Sequence, residues 1–152
     1  MLEKAELTAL LKKLKRFKGL PEIVTFSAAT REGIDKLKDK LWENAMKLQK
    51  GLKERGFDIG KTDSVVTPIY MKGDVPEATN MVMDIRENYH VFCSIVVYPV
   101  IPKGHIIYRL IPTAAHTDAD IEATLIAFSE TKAKLDAGEY KVEKIPDMAE
   151  KA

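Results

Sequence analysis

The sequence is poor in residues that build metal, disulfide and nucleotide sites. A single cysteine, Cys93, excludes an internal disulfide framework and a cysteine-rich zinc site. The three histidines, His90, His105 and His116, are not at metal-ligand spacing, so no metal site is expected. Neither Gly-x-Gly-x-x-Gly nor Gly-Lys-Ser/Thr occurs, so the chain lacks the usual phosphate-binding loops.

Strong charge and long apolar runs are also missing. A net charge of +1 disfavours nucleic acid as a partner. No apolar run approaches the length of a membrane span, and the charged, helical start is unlike a signal peptide. An apolar content of 45% with 31% charged residues is typical of a globular protein. We therefore expect a cytoplasmic protein whose residues 1–152 form a single compact domain.

Apolar residues recur at helical spacing in two stretches of the N-terminal half. The first helix is predicted from Leu7 to Phe17 and the second from Ile34 to Leu52. Gly56 follows the second stretch and suits the left-handed conformation that ends many helices. Between the two helices, Ile23 to Phe26 predicts a short strand.

The rest of the chain predicts three strands and two capped helices. The strands are Val65 to Met71, Val91 to Val97 and His105 to Ile111. Pro68 marks the first of them as an edge strand or a bulged one. Asp74 is predicted to cap one helix, and Thr117 with Asp120 the last helix, which ends at Gly138.

This order of elements predicts an α/β (α+β) fold. About four helices would cover one or both faces of a mixed four-stranded sheet, in two or three layers. We expect Ile23 to Phe26 to join the sheet that the later strands form. The charged, aperiodic residues 139–152 predict a frayed tail.

Two residue groups have simple structural interpretations. Cys93 lies among apolar neighbours, so a small buried hydrophobe is favoured over a nucleophile. The basic cluster from Lys12 to Lys18 is interpreted as the solvated side of a helix rather than a phosphate site.

Arg109 is the residue that most needs an explanation. Strand alternation places it on one face with Ile107 and Ile111, which look directed to the core. A buried guanidinium needs an anion or water. A carboxylate distant in sequence, an edge position that reaches water, and a ligand carboxylate held by the planar guanidinium all stay open.

Several motifs resemble one enzyme family. They are "LWENAMKLQKGLKERGF", "VVTPIYM", "YPVIPKG" and "RLIPTAAHT". With these motifs, residues 41–138 resemble the C-terminal small domain of the α-oxoamine synthases, of the serine palmitoyltransferase or 2-amino-3-ketobutyrate CoA ligase type. These pyridoxal-phosphate (PLP)-dependent acyltransferases condense an amino acid with an acyl-CoA. Arg109 stands seven residues before His116-Thr117, as in the family pattern.

The resemblance implies roles for particular residues. Arg109 matches the arginine that binds the amino-acid carboxylate, while Tyr98, Pro99 and Lys103 would shape the mouth of the substrate site. His116 is expected to be structural, so no catalytic residue is assigned. The family's cofactor lysine has no counterpart in its Ser/Thr-x-x-Lys-x-x-Gly-Gly setting. We therefore expect no cofactor in this chain, PLP in the parent enzyme, and no activity in isolation.

The first forty residues resemble a different family. "LPEIVTFSAATREGIDKLKDKLWE" is similar to the last strand, Ser-Ala loop and final helix of a P-loop GTPase, through Ser27-Ala28 and Gly33-Ile34. The phosphate loop and base-reading motif are missing, so nucleotide binding is not expected. One hypothesis is therefore a natural or engineered chimera joined within residues 36–44, with a natural enzyme fragment as the alternative.

Two functions follow from these observations. The first is a catalytically incomplete part of an α-oxoamine synthase, whose partners in the parent enzyme are an amino-acid carboxylate and an acyl-CoA. The alternative is a non-enzymatic α/β interaction or scaffold module. Its apolar surface would pack against another domain or another copy of the chain.

Overall fold

The computed structural model describes residues 33–71 and 73–141. The predicted helix at Leu7 to Phe17, the predicted strand at Ile23 to Phe26 and residues 142–152 of the predicted tail lie outside them. The described elements are helix α1 (Ile34–Glu54), strand β1 (Thr67–Met71), helix α2 (Val75–Tyr89), strand β2 (Ser94–Val96), strand β3 (Ile106–Leu110) and helix α3 (Asp118–Ala137).

The sheet of the described residues has three strands in the order β1-β3-β2, and both pairings are antiparallel. The described strands are therefore antiparallel and not mixed as predicted. The described part of the chain has three strands and three helices, and the fourth predicted strand and helix lie outside it. Residues 97–105 connect β2 to β3, and a short connection of this kind, without a crossover helix, joins neighbouring antiparallel strands. Pro68 lies in edge strand β1, as predicted.

The core lies between the helices and one face of the sheet. From β3, this face contributes Ile106, Tyr108 and Leu110, which are all buried. The Tyr108 ring packs edge-on against Phe128 of α3, and its hydroxyl donates a 2.7 Å hydrogen bond to the carbonyl of Ala78 in α2. Burial of such side chains is the main stabilising term of the domain.

The helix ends follow the predicted signals. Asp74 accepts from the Glu77 amide while Glu77 accepts from the Asp74 amide, and Thr117 forms the same reciprocal pair with Asp120. These capping boxes satisfy amides that the first turn of a helix leaves without partners. Gly56, just beyond α1, has a φ of 77°, which glycine adopts without steric cost.

Candidate functional site

The second face of the sheet is open in the described part of the chain. We call it the open face, and it consists of Pro68, Tyr70, Ser94, Val96, Ile107 and Arg109. Its side chains are half-buried or exposed, whereas most of the alternate positions in β1 and β3 are buried. Antiparallel registry brings Pro68 and Ser94 to either side of Arg109.

Arg109 lies on this open face and not in the core. Alternation correctly placed it with Ile107 and Ile111, but the assumption that this face is core-directed was wrong. Ile107 is half-buried, while Arg109 and Ile111 are exposed. The interior set is Ile106, Tyr108 and Leu110, so the guanidinium has no large desolvation penalty to offset.

The Arg109 side chain has one polar contact among the described residues. Its Nε donates to Ser94 Oγ at 3.2 Å, and no described carboxylate forms an ion pair with it. A carboxylate distant in sequence therefore does not hold Arg109 within the described part of the chain. Both terminal nitrogens remain available for a planar anion.

Tyr98 and Lys103 lie in the connection between β2 and β3, and their side chains contact each other. The Lys103 ammonium sits 5.3 Å from the centroid of the Tyr98 ring, a cation–π geometry. Tyr98 is exposed, and so is its neighbour Val100 at 78%. No hydrogen bond within the described residues links this pair to Arg109, so their grouping in one substrate site stays a prediction.

The loop after β3 is held by a residue whose role sequence reasoning missed. Asn44 of α1 is fully buried and donates to the carbonyl oxygens of Thr113 and His116, at 2.9 and 2.8 Å. His116 Nδ1 accepts a 3.0 Å hydrogen bond from the Thr113 amide. His116 therefore shapes the start of α3, in agreement with its predicted structural role.

Cys93 has the properties of a buried hydrophobe. Its side chain is only 4% exposed, and burial raises the pKa of the thiol to about 11. A thiol with a raised pKa stays protonated near neutral pH and is a poor nucleophile. The structural interpretation of this residue is confirmed.

Comparison with known proteins gives several relatives but no matching family model. The chain is 52% identical over 128 residues to the cysteate-C-fatty acyltransferase of Capnocytophaga ochracea, covering 82% of this chain and 30% of the relative. It is 39% identical over 101 residues to the 8-amino-7-oxononanoate synthase of Thermoanaerobacter pseudethanolicus, covering 66% of this chain and 25% of the relative. The chain thus spans less than a third of the length of these curated relatives.

The solved structures that match the chain agree with these sequence relatives. A high-resolution structure of SPT with PLP is 26% identical with a TM-score of 0.63, covering 68% of this chain and 26% of that one. The chain is similar to the C-terminal part of PLP-dependent α-oxoamine synthases. The 8-amino-7-oxononanoate synthase of Francisella tularensis, at 18% identity and a TM-score of 0.58, shares the fold over 90% of this chain and 35% of its own.

The same comparisons give no support to a P-loop GTPase segment or a chimera. The Capnocytophaga match covers 82% of the chain, which is more than residues 41–152 can supply. Similarity to this one α-oxoamine synthase relative therefore extends into the first forty residues. Ser27-Ala28, which carried the GTPase resemblance, lie outside the described residues.

Lys47 and Lys134 are each engaged by a carboxylate. The hydrogen bond to Asp118 raises the pKa of Lys47, and the hydrogen bond to Asp84 raises the pKa of Lys134. A lysine that forms a Schiff base needs a neutral amine, so neither of these two lysines is suited to covalent binding of PLP. The three strands contain no lysine, so none stands on the open face beside Arg109.

The described part of the chain contains neither a cluster of potential metal ligands nor a helix long and apolar enough to cross a membrane.

Proposed function

We propose that this chain is the carboxylate-binding C-terminal part of an α-oxoamine synthase that condenses an amino acid with an acyl-CoA. The observation that carries the proposal is the state of Arg109. Its side chain is exposed on the open face, forms a hydrogen bond only with Ser94 among the described residues, and has no ion-pair partner there. A cation kept free in this way is ready for an external anion.

The chemistry of an arginine suits this role. A guanidinium can hold both oxygens of a carboxylate in one plane, which a lysine ammonium cannot do. A carboxylate held in a fixed plane also fixes the bond to the α-carbon, and when the amino group is held as well, the directions of the other bonds at that carbon are set. Such orientation lowers the barrier of a condensation reaction without any proton transfer by the arginine itself.

The open face would be covered by the rest of a longer protein. Large apolar side chains are exposed in the segments that flank β2 and β3: Phe92 at 77%, Tyr98, Val100 and Ile111. The curated relatives are more than three times as long as the part that matches this chain. In this proposal the remainder supplies the cofactor-binding groups and packs against these residues, so the isolated chain is inactive.

Cysteate is the first candidate for the amino-acid substrate. The relative with 52% identity is named for cysteate and a fatty acyl group, whereas the 8-amino-7-oxononanoate synthases are more distant. Every α-amino acid carries an α-carboxylate, so the proposed role of Arg109 does not depend on this choice.

A domain exchange tests the proposal. Residues 41–138 would replace the matching segment of the Capnocytophaga enzyme, and cysteate-dependent acyl transfer would be measured. We expect an active hybrid in which Arg109→Lys lowers kcat/KM for the amino acid by about 10- to 100-fold, the loss expected for charged hydrogen bonds. Arg86→Lys is the matched control, because Arg86 is exposed on α2 and pairs with neighbouring Glu87.

Two results would contradict the proposal. One is a folded hybrid without acyl transfer, and the other is an active hybrid that Arg109→Lys leaves unchanged. The isolated 152-residue chain supplies a separate check. We expect it to lose PLP on gel filtration and to form no product, and a chain that retains the cofactor and turns over would overturn its assignment as an incomplete part.

A further inference from the structure

The contact between Ser94 and Arg109 is built into the register of the sheet. The two residues are Cα partners in the antiparallel pairing of β2 with β3, so their side chains leave the same face side by side. Arg109 Nε donates to Ser94 Oγ at 3.2 Å, and the serine is half-buried while the arginine is exposed. The hydroxyl is therefore a fixed acceptor at the inner side of the guanidinium.

This contact divides the five donors of the arginine into two groups. The Nε hydrogen is engaged by Ser94, whereas the four hydrogens on the two Nη atoms have no partner among the described residues. A carboxylate can approach a guanidinium either along the edge shared by Nε and one Nη or along the edge between the two Nη atoms. With Nε engaged, only the second edge presents two unpartnered donors.

We infer that Ser94 is a positioning residue that holds Arg109 so that the substrate carboxylate binds end-on, across its two Nη atoms. This inference rests on the proposed function and adds the binding geometry to it. Ser94 also restricts the rotamers of a long side chain before the ligand arrives. Less conformational entropy is then lost on binding.

The test uses the full 152-residue chain with isotope-labelled arginine and acetate as the probe. Carbon-detected NMR separates the Nε signal of Arg109 from its Nη signals, and Arg109→Lys assigns them. Acetate is titrated at constant ionic strength maintained with chloride. In the unmodified chain we expect acetate to shift the Nη signals of Arg109 and to leave its Nε signal nearly unchanged.

Two serine variants supply the matched comparison. Ser94→Ala removes the acceptor, so we expect faster exchange of the Nε hydrogen with water, an Nε signal that now responds to acetate, and weaker binding by about twofold to tenfold, the ratio one hydrogen bond provides. Ser94→Thr keeps a hydroxyl on a residue that strands favour, and should restore all three properties.

The outcomes separate this inference from the proposed function. Equal shifts of Nε and Nη in the unmodified chain, or acetate affinity that Ser94→Ala leaves unchanged, would overturn the role of Ser94 while leaving Arg109 as the receptor. An Arg109 that does not respond to acetate at any of its nitrogens would overturn both.

Discussion

At the scale of single residues, Arg109 shows how little alternation decides in a strand that is apolar on both sides. The run "IIYRLI" offers Ile106, Tyr108 and Leu110 on one face and Ile107, Arg109 and Ile111 on the other. Both sets look suitable for a core. The helices pack on the first set, where the Tyr108 hydroxyl finds the carbonyl of Ala78. The cation consequently lies on the side that they leave open.

Removing this cation should hardly affect folding. Arg109 is exposed and has no ion-pair partner among the described residues, so we expect Arg109→Ala to change the free energy of unfolding by less than about 0.5 kcal/mol. Urea titration of the chain and the variant measures this. A loss of several kcal/mol would show that Arg109 has a structural partner.

At the scale of elements, helix ends were predictable and strand lengths were not. Asp74 and Thr117 were identified as caps, and both form capping boxes. These signals are local, since the donor and acceptor lie within three residues of each other. The strand expected at Val91 to Val97 covers only Ser94–Val96, and the one expected at His105 to Ile111 covers Ile106–Leu110. Strand ends depend on the partner strand, which a single stretch of sequence does not contain.

The packing of α1 on α3 depends on a glycine that helix propensity would reject. A Cβ on Gly51 would lie 2.9 Å from one methyl carbon of the buried Leu125 and closer still to the other. Alanine is favoured over glycine inside a helix by about 1 kcal/mol, but overpacking costs about 1–3 kcal/mol. We therefore expect Gly51→Ala to destabilise the chain in thermal and urea unfolding.

The clash can be separated from propensity by a double-mutant comparison. In a Leu125→Ala background the space beside Gly51 is open, so Gly51→Ala should be neutral or stabilising by up to about 1 kcal/mol. Stabilisation by Gly51→Ala in the unmodified chain would contradict the close packing of these two helices.

At the scale of the whole molecule, one carboxylate joins three parts of the fold. Asp84 of α2 has a side chain only 12% exposed. It accepts hydrogen bonds from Asn88, from Lys134 of α3 and from Tyr140 beyond α3. Burial opposes its ionisation, but the hydrogen bonds from Lys134, Tyr140 and Asn88 outweigh burial and lower its pKa to about 2. The start of the predicted frayed tail is thus anchored, because Tyr140 is buried.

The lowered pKa predicts how stability depends on pH. The folded state holds the Asp84 proton more weakly than the unfolded state does. The stabilisation of the folded state by ionised Asp84 is therefore complete above about pH 4 and is lost as pH falls towards 2. We expect the difference in unfolding free energy between the chain and Asp84→Asn to shrink by about 2 kcal/mol between about pH 5 and pH 2. Urea titrations across this range measure the difference.

Asp136→Asn is the control, because Asp136 is exposed and, among the described residues, pairs only with Lys132 on the same helix. Its difference from the unmodified chain should stay small at every pH, as is usual for a surface ion pair. An Asp84→Asn difference that is equally independent of pH would show that the network does not hold the carboxylate in its ionised form.

The features that the sequence by itself determined are local structures and sequence motifs. The helix from Ile34, the two caps, the turn at Gly56 and Pro68 in an edge strand follow from spacing and backbone preference, which neighbouring residues settle among themselves. The motifs around Arg109 also indicated the similarity to the C-terminal part of the α-oxoamine synthases, which the comparisons support. Only the tertiary structure decided which face of β3 is buried, that the described strands are all antiparallel, and that Ser94 stands beside Arg109. These features join residues distant in the chain, so their free energy depends on how the helices and strands pack together.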